Sequence, residues 1–227
     1  LQVLARLPQT AQLTALRESM LANLRDGVKK LLGYECKAGG FEWFGKDPGH
    51  VLLTAFGYWQ FREIERVGVA FDAALFGRLE AFLLSNRDGK GGFVSRTGID
   101  SLGNAPPQLT QLFVAFVLSG QGMELRGRFA AELTAADALY DDFTVNEKSV
   151  DTYALALLGL LRLGLGKPVE QLAAALVARQ AKSGEFQHAK TSITLSSGKS
   201  LAMEASALSL LLLLRMPGNA HTAAVDA

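Results

Sequence analysis

Few side chains in this 227-residue chain have the type and spacing needed for chemistry. His50 follows the turn Asp47-Pro48-Gly49 at the predicted start of an apolar helix, where a general base or a ligand-binding group would be accessible. The same position also suits a polar helix-start residue bonded to a neighbouring loop, and we favour that interpretation. Cys36 is the single cysteine, so no internal disulfide can form, and we interpret it as an incidental, partly buried thiol.

Two further segments resemble known binding motifs only in part. Paired carboxylates such as Asp141-Asp142 can bind Mg²⁺, but the residues that follow lack a third carboxylate, so we predict a solvated turn there. The glycine-rich loop 88–92 contains Lys90, yet its spacing does not match a phosphate-binding loop and no Ser or Thr follows it. The sequence therefore predicts neither a cofactor nor a metal site.

The composition indicates a globular protein with a substantial core. Apolar residues make up 49% of the chain, and 23 basic against 22 acidic residues give a net charge of +1. The basic residues are scattered, which makes nucleic acid an improbable partner. The longest near-apolar run, 205–214, is about half as long as a bilayer requires, so we predict no transmembrane segment. The first residues lack the regions of a signal peptide, and any export signal is expected to lie outside this sequence.

The elements that would position these residues come from an internal repeat. Three turns, Gly39-Gly40-Phe41, Gly91-Gly92-Phe93 and Gly184-Glu185-Phe186, each follow an amphipathic stretch and precede an apolar one. The segment 140–143 is a degenerate fourth candidate. Repeats of about 45 to 50 residues, built from two helices each, indicate stacked helix pairs.

Outer and inner helices alternate along the chain in this interpretation. Outer helices are amphipathic and inner ones are apolar nearly all round, as a helix covered on every side should be. Small and hydroxyl residues recur near the starts of the inner helices, and the strand-like run 192–196 is predicted to be a short hairpin or loop edge. The predicted outer helices are 13–32, 71–84, 129–140 and 169–180, and the inner ones are 51–61, 109–118, 152–163 and 201–214.

This pattern predicts an all-α fold, an α/α toroid of the terpenoid cyclase and prenyltransferase type. A closed toroid has roughly six helix pairs, and the sequence supplies about four. We therefore expect residues 1–227 to form a single partial toroid domain, truncated at both ends. The open ends would expose apolar faces that neighbouring pairs should cover.

Four segments in order carry a family resemblance. The first, 33–45, contains Gly39-Gly40-Phe41-Glu42-Trp43-Phe44-Gly45, and the others are 82–93, 150–156, and 191–194 with 204–208. Over about residues 21 to 214 the chain resembles the thioester domain of the α2-macroglobulin and complement family, especially its bacterial and protist members. The resemblance implies a toroid of six helix pairs. It also implies a Cys-Gly-Glu-Gln thioester that acylates an amine or hydroxyl on a target after proteolytic exposure.

The sequence departs from the family at that motif, because it contains no Cys-Gly-Glu-Gln. Cys36 falls in a stretch that matches a part of the family without the thioester. The resemblance therefore implies a non-enzymatic module of an endopeptidase inhibitor or protease trap, which shields or presents a thioester lying outside this chain. Its implied partners are a target protease or surface nucleophile and other domains of the same parent protein, in an extracellular or periplasmic location.

The resemblance also implies site residues. Asp100 falls where some complement members have a histidine that attacks the thioester and directs transfer to hydroxyls, whereas members with Asp or Asn there favour amines. Asp100 thus implies direct aminolysis, and the alternative is a loop aspartate that caps a turn. His50, Phe44, Tyr58 and Trp59 are candidates for a cavity or mouth that keeps the thioester dry, although for most of the aromatics plain core is the alternative.

Two other functions stay open. A prenyltransferase β-subunit or terpene cyclase would share the fold, but its zinc site needs Asp, Cys and His near the inner-helix mouths, and Cys36 precedes the first turn. A non-covalent α/α scaffold that binds a partner through its open end is the other alternative. Nothing in the sequence separates that scaffold from the thioester-domain interpretation.

Overall fold

Helices make up the regular secondary structure of the described residues, which are 10–94, 105–146 and 150–217 of a computed structural model. The all-α class predicted from the sequence is confirmed. The chain divides into two compact units, Leu1–Asn86 and Arg87–Ala227, and each is described by itself. The single partial domain and its truncation stay predictions.

From residue 10 onwards, the first unit contains three helices, α1 (Ala11–Leu32), α2 (Val51–Arg66) and α3 (Ala74–Ser85). Helix α1 begins where the Thr10 hydroxyl accepts a hydrogen bond from the Leu13 amide at 3.2 Å, which is a standard N-cap contact. Helix α2 is the most buried of the three and packs against α3. Helix α1 is amphipathic as predicted, but only Val28 on it is fully buried.

The second unit forms two layers of helices. Helices α4, α8 and α10 pack in that order side by side, α6 lies against α4 and α8, and α9 lies against α8 and α10. The helices in the described residues of this unit are α4 (Pro107–Ser119), α5 (Met123–Arg128), α6 (Ala130–Asp137), α7 (Leu139–Asn146), α8 (Thr152–Gly164), α9 (Glu170–Val177) and α10 (Gly198–Arg215).

Two of the three predicted inner helices of the second unit, α4 and α8, are buried over most of their length, whereas α10 has only six buried residues among its 18. Every residue from Leu112 to Ser119 in α4 and from Leu155 to Arg162 in α8 is buried. Glycines allow α8 to approach both of its neighbours closely. A Cβ at Gly159 would overlap the Leu212 side chain of α10, and a Cβ at Gly164 would overlap Ser119 of α4.

Two local predictions were wrong. The predicted outer helix 129–140 is instead two helices, α6 and α7, separated at Ala138, so Asp141 and Asp142 lie in the first turn of α7 and not in a solvated turn. Carboxylates are favoured there by the helix dipole, and the segment 140–143 has no glycine to begin a turn of the repeat. The run 192–196 forms no hairpin in the described residues and is a loop, the other predicted alternative, in which its hydroxyls bond to one another and to Glu204.

The three glycine-aromatic turns share one backbone geometry. The glycine two residues before each phenylalanine has a positive φ, which is 91° at Gly39, 88° at Gly91 and 87° at Gly184. Only glycine adopts this conformation without strain. The residue six before each phenylalanine forms a β-bridge with it, in the pairs Glu35 with Phe41, Arg87 with Phe93, and Gln180 with Phe186.

Candidate functional site

His50 is the N-cap residue of α2. Its Nδ1 accepts hydrogen bonds from the amides of Leu52 and Leu53 at 3.2 and 3.4 Å, and its own amide donates to the Phe41 carbonyl at 2.8 Å. These contacts match the interpretation of His50 as a helix-start residue. Because Nδ1 is occupied as an acceptor, any proton transfer by this ring would use Nε2.

Tyr58 is a core residue that joins α2 to α3. Its side chain is fully buried, and its hydroxyl donates to Glu80 Oε1 and accepts from Arg62 Nη2, both at 2.8 Å. Burial raises the pKa of Tyr58 well above its usual range, with Arg62 opposing the shift and Glu80 adding to it. The Arg62 guanidinium lies 3.8 Å from the centre of the Phe76 ring. Tyr58 therefore stays a neutral hydrogen-bonding group in this cluster.

The other two aromatic candidates differ in exposure. Trp59 is half-buried and packs edge-on against Phe56, with ring centres 6.0 Å apart. Phe44 is 79% exposed, so the alternative of plain core does not apply to it. The Glu42 carboxylate accepts the amides of Phe44 and Lys46 at 2.8 and 3.3 Å, and this compact turn presents the Phe44 side chain to solvent. A role for Phe44 at a mouth stays a prediction.

Cys36 is buried, with 4% of its surface exposed, and its Sγ donates to the Lys46 carbonyl at 3.3 Å. Burial, together with the nearby carboxylates of Asp47, Glu42 and Glu35, raises the pKa of the Cys36 thiol. A protonated, buried thiol is a poor nucleophile, which agrees with its interpretation as an incidental cysteine. Asp100, the residue implied in acyl transfer, lies outside the described residues.

The second unit contains a cavity of about 570 Å³ at the N-terminal ends of α4 and α8. Its walls are mostly apolar and include four leucines: Leu109 and Leu112 from α4, Leu139 from α7 and Leu158 from α8. The volume lies within the usual range for small-molecule sites. None of the candidates selected from the sequence lines this cavity.

Asp151 lies at the edge of the cavity and holds its backbone in place. One carboxylate oxygen accepts the amides of Tyr153 and Ala154, and thereby caps α8. The other accepts the amides of Lys190 and Thr191 from a distant loop. Asp151 therefore joins the start of α8 to the segment that leads towards α10. With both oxygens occupied, it is a structural residue of the cavity wall.

Asp142, Gln108 and Thr191 supply the remaining polar side chains of the cavity. Asp142 is exposed in the first turn of α7, and no described residue forms a hydrogen bond or ion pair with it. Among the described residues, nothing competes with a ligand for this carboxylate. The residues that line the cavity in the described part of the chain include no lysine or arginine.

The described ranges contain no group of three His, Cys, Asp or Glu side chains arranged to hold a metal ion. Within the same ranges, no helix is both long enough and apolar enough to cross a membrane. No known protein-family model matches this chain, and a search of curated proteins finds none significantly similar to it.

Sequence reasoning missed the cavity, although it selected the segments that border it. The small and hydroxyl residues noted near the inner-helix starts include Thr110 and Thr152, each close to a lining residue in the sequence. That signal indicated close packing and did not predict an open space. The space depends on side chains from three helices and a loop, which no local pattern specifies.

Proposed function

We propose that this chain is part of the thioester domain of an α2-macroglobulin-like endopeptidase inhibitor. In this proposal it is a structural and binding module, without enzymatic activity, that shields or presents a thioester carried outside this sequence. Its partners are other domains of the parent protein and, through the parent, a target protease or surface nucleophile. The location that follows from this assignment is extracellular or periplasmic.

The observation that carries the proposal is the recurring turn. The segments 33–45 and 82–93, two of the four on which the resemblance rests, contain two of the three turns that share a positive-φ glycine and a six-residue bridge. Such repetition supports a module assembled from equivalent helix pairs. We extend it to a partial α/α toroid, of which α2, α4, α8 and α10 are the inner helices.

Docking of the turns on inner helices gives further support. The Phe41 amide donates to the Thr54 hydroxyl of α2 at 2.9 Å, and the Phe186 amide donates to the Ser206 hydroxyl of α10 at 2.9 Å. At the second turn the Gln111 side chain of α4 donates to the Gly91 carbonyl, also at 2.9 Å. Repeated hydrogen bonding of the turns to the inner helices suits a domain that must keep water from a reactive thioester.

The test is made on the full-length parent protein. Its intact mass and free thiols are measured before and after methylamine treatment of natively folded material. A gain of one methylamine with one newly free thiol is the expected result. If the thioester is present, Asp100→His in the parent should shift acyl transfer from amines towards hydroxyls. No change in mass or thiol count with methylamine would contradict the covalent mechanism.

A non-covalent scaffold is the second candidate, and exposed apolar side chains favour it. Met203 and Leu214 on α10 are 72% and 50% exposed. Leu16 and Met20 on α1 are also exposed. These side chains would belong to a contact surface if they form part of a contiguous apolar patch. A methylamine-insensitive parent would make this scaffold the leading function.

A further inference from the structure

The cavity of the second unit combines an apolar interior with a carboxylate at its edge. The leucines in its walls offer no donor or acceptor, and Gln108 and Thr191 are the uncharged polar side chains among its described lining residues, so most of the ligand inside should be an alkyl chain or ring. A volume of about 570 Å³ can hold an apolar group of roughly ten to twenty non-hydrogen atoms. Inclusion there would remove that group from water.

The charges of the lining residues indicate which polar group the ligand of this cavity should carry. Asp142 and Asp151 are the only charged residues among the described residues that line the cavity, and both are acidic. Asp151 is saturated by four backbone amides, whereas no described residue pairs with Asp142. A ligand with a carboxylate or phosphate would therefore meet repulsion at the cavity edge, and one with an ammonium group would meet an available counter-ion.

We propose that this cavity binds a small amphipathic amine. Its apolar portion contacts Leu109, Leu112, Leu139 and Leu158, and its ammonium group pairs with the carboxylate of Asp142. Binding involves no covalent step. The inference does not depend on the proposed thioester-domain function, because it rests on the cavity alone.

The test uses the full chain with leucine methyl groups labelled for nuclear magnetic resonance. The probe is n-octylammonium chloride, and n-octanol and sodium octanoate serve as its neutral and anionic counterparts. We expect saturable shifts at the four cavity leucines, with n-octylammonium bound about 3- to 5-fold more tightly than n-octanol at low salt. Octanoate should bind most weakly, and 0.5 M salt should reduce the preference for the ammonium ion.

Asp142→Asn tests the ion pair, and Asp141→Asn is its matched control. Both aspartates are exposed in the first turn of α7, so both changes remove the same charge from the same helix end, but Asp141 does not line the cavity. Asp142→Asn should lower n-octylammonium affinity to that of n-octanol, whereas Asp141→Asn should change it by less than about 2-fold. Equal effects of the two variants would overturn the assignment of Asp142.

Ala154→Phe tests the location. Ala154 is a half-buried residue of the cavity wall, so a phenyl group there can occupy the cavity space. The variant should retain the methyl spectrum of the remaining core and lose binding of both n-octylammonium and n-octanol. Absence of saturable shifts at the cavity leucines of the unmodified chain, or equal affinity for n-octylammonium and n-octanol, would overturn the proposal.

Discussion

The amide of Phe41 donates a hydrogen bond of 2.9 Å to the hydroxyl of Thr54, a buried residue in the first turn of α2. The same hydroxyl donates to the His50 carbonyl at 2.7 Å. The Thr54 hydroxyl therefore accepts a hydrogen bond from the buried Phe41 amide of the first glycine-aromatic turn, and it also donates one to the N-cap residue of its own helix. Ser206 performs the corresponding role for Phe186 in the third turn.

Replacing Thr54 by valine should leave the Phe41 amide buried without an acceptor. We expect the free energy of unfolding to fall by about 1–3 kcal/mol, measured by urea denaturation. Thr54→Ser keeps the hydroxyl and should lose less. Thr14→Val is the control, because Thr14 also bonds back to the carbonyl four residues earlier but accepts no distant amide. Equal losses for Thr54→Val and Thr14→Val would contradict the role assigned to Thr54.

Two glycine-to-alanine changes should have opposite effects. A Cβ at Gly57 would lie 2.5 Å from Cδ2 of the Phe41 ring, which stacks on Phe61, so Gly57→Ala should destabilise the protein by about 1–3 kcal/mol. Gly77 in α3 has nothing within 4 Å of an added Cβ, and Gly77→Ala should stabilise by about 0.5–1 kcal/mol. Thermal unfolding of both variants checks the pair, and a stabilising Gly57→Ala would refute the packing at that turn.

These contacts also show how far the sequence was informative. The inner helices were predictable because a segment such as 152–163 is apolar on all sides. The turns were predictable because each contains a glycine two residues before its phenylalanine. The break at Ala138 was not predictable, because the residues around it include no glycine or proline. Likewise, the exposure of Phe44 depends on Glu42 bonding to two backbone amides, and nothing in the residue types alone specifies that turn.

Among the charged side chains near the surface, we expect removal of the Asp137 charge to lower the free energy of unfolding most. It pairs with Arg162 at 3.0 Å and with Lys167 at 2.5 Å, and the Asp137 and Arg162 side chains are only 12% and 10% exposed. Asp137→Asn would leave the Arg162 guanidinium buried with a weaker partner, at a cost of about 2–4 kcal/mol in urea denaturation. Asp26→Asn, which removes an ion pair 72–79% exposed, should cost less than about 0.5 kcal/mol. Similar costs would contradict the buried role of Asp137.

Glu132 carries a buried polar atom that has no partner in the described residues. Its side chain in α6 is 3% exposed, and Oε2 forms no hydrogen bond. A buried carboxylate oxygen without a hydrogen-bond donor is unfavourable, so Glu132→Gln, which keeps the shape, should raise the free energy of unfolding at pH 7 by about 1–2 kcal/mol. Glu124→Gln on the exposed surface is the control and should be nearly neutral. Destabilisation by Glu132→Gln would indicate an interaction that requires the charge.

Cys36 bears on the thiol count proposed for the parent protein. Its thiol is buried and its pKa is raised, so at pH 8 it should react with a disulfide reagent about tenfold more slowly in the native protein than in guanidinium chloride. The unfolded thiol ionises first, near pH 8.5, so the stabilising contribution of Cys36 should decline as the pH rises above about 8.5. Cys36→Ser should remove that part of the pH dependence. Rapid reaction of the native thiol would contradict its burial, whereas slow reaction means that a newly released thiol can be counted separately from Cys36.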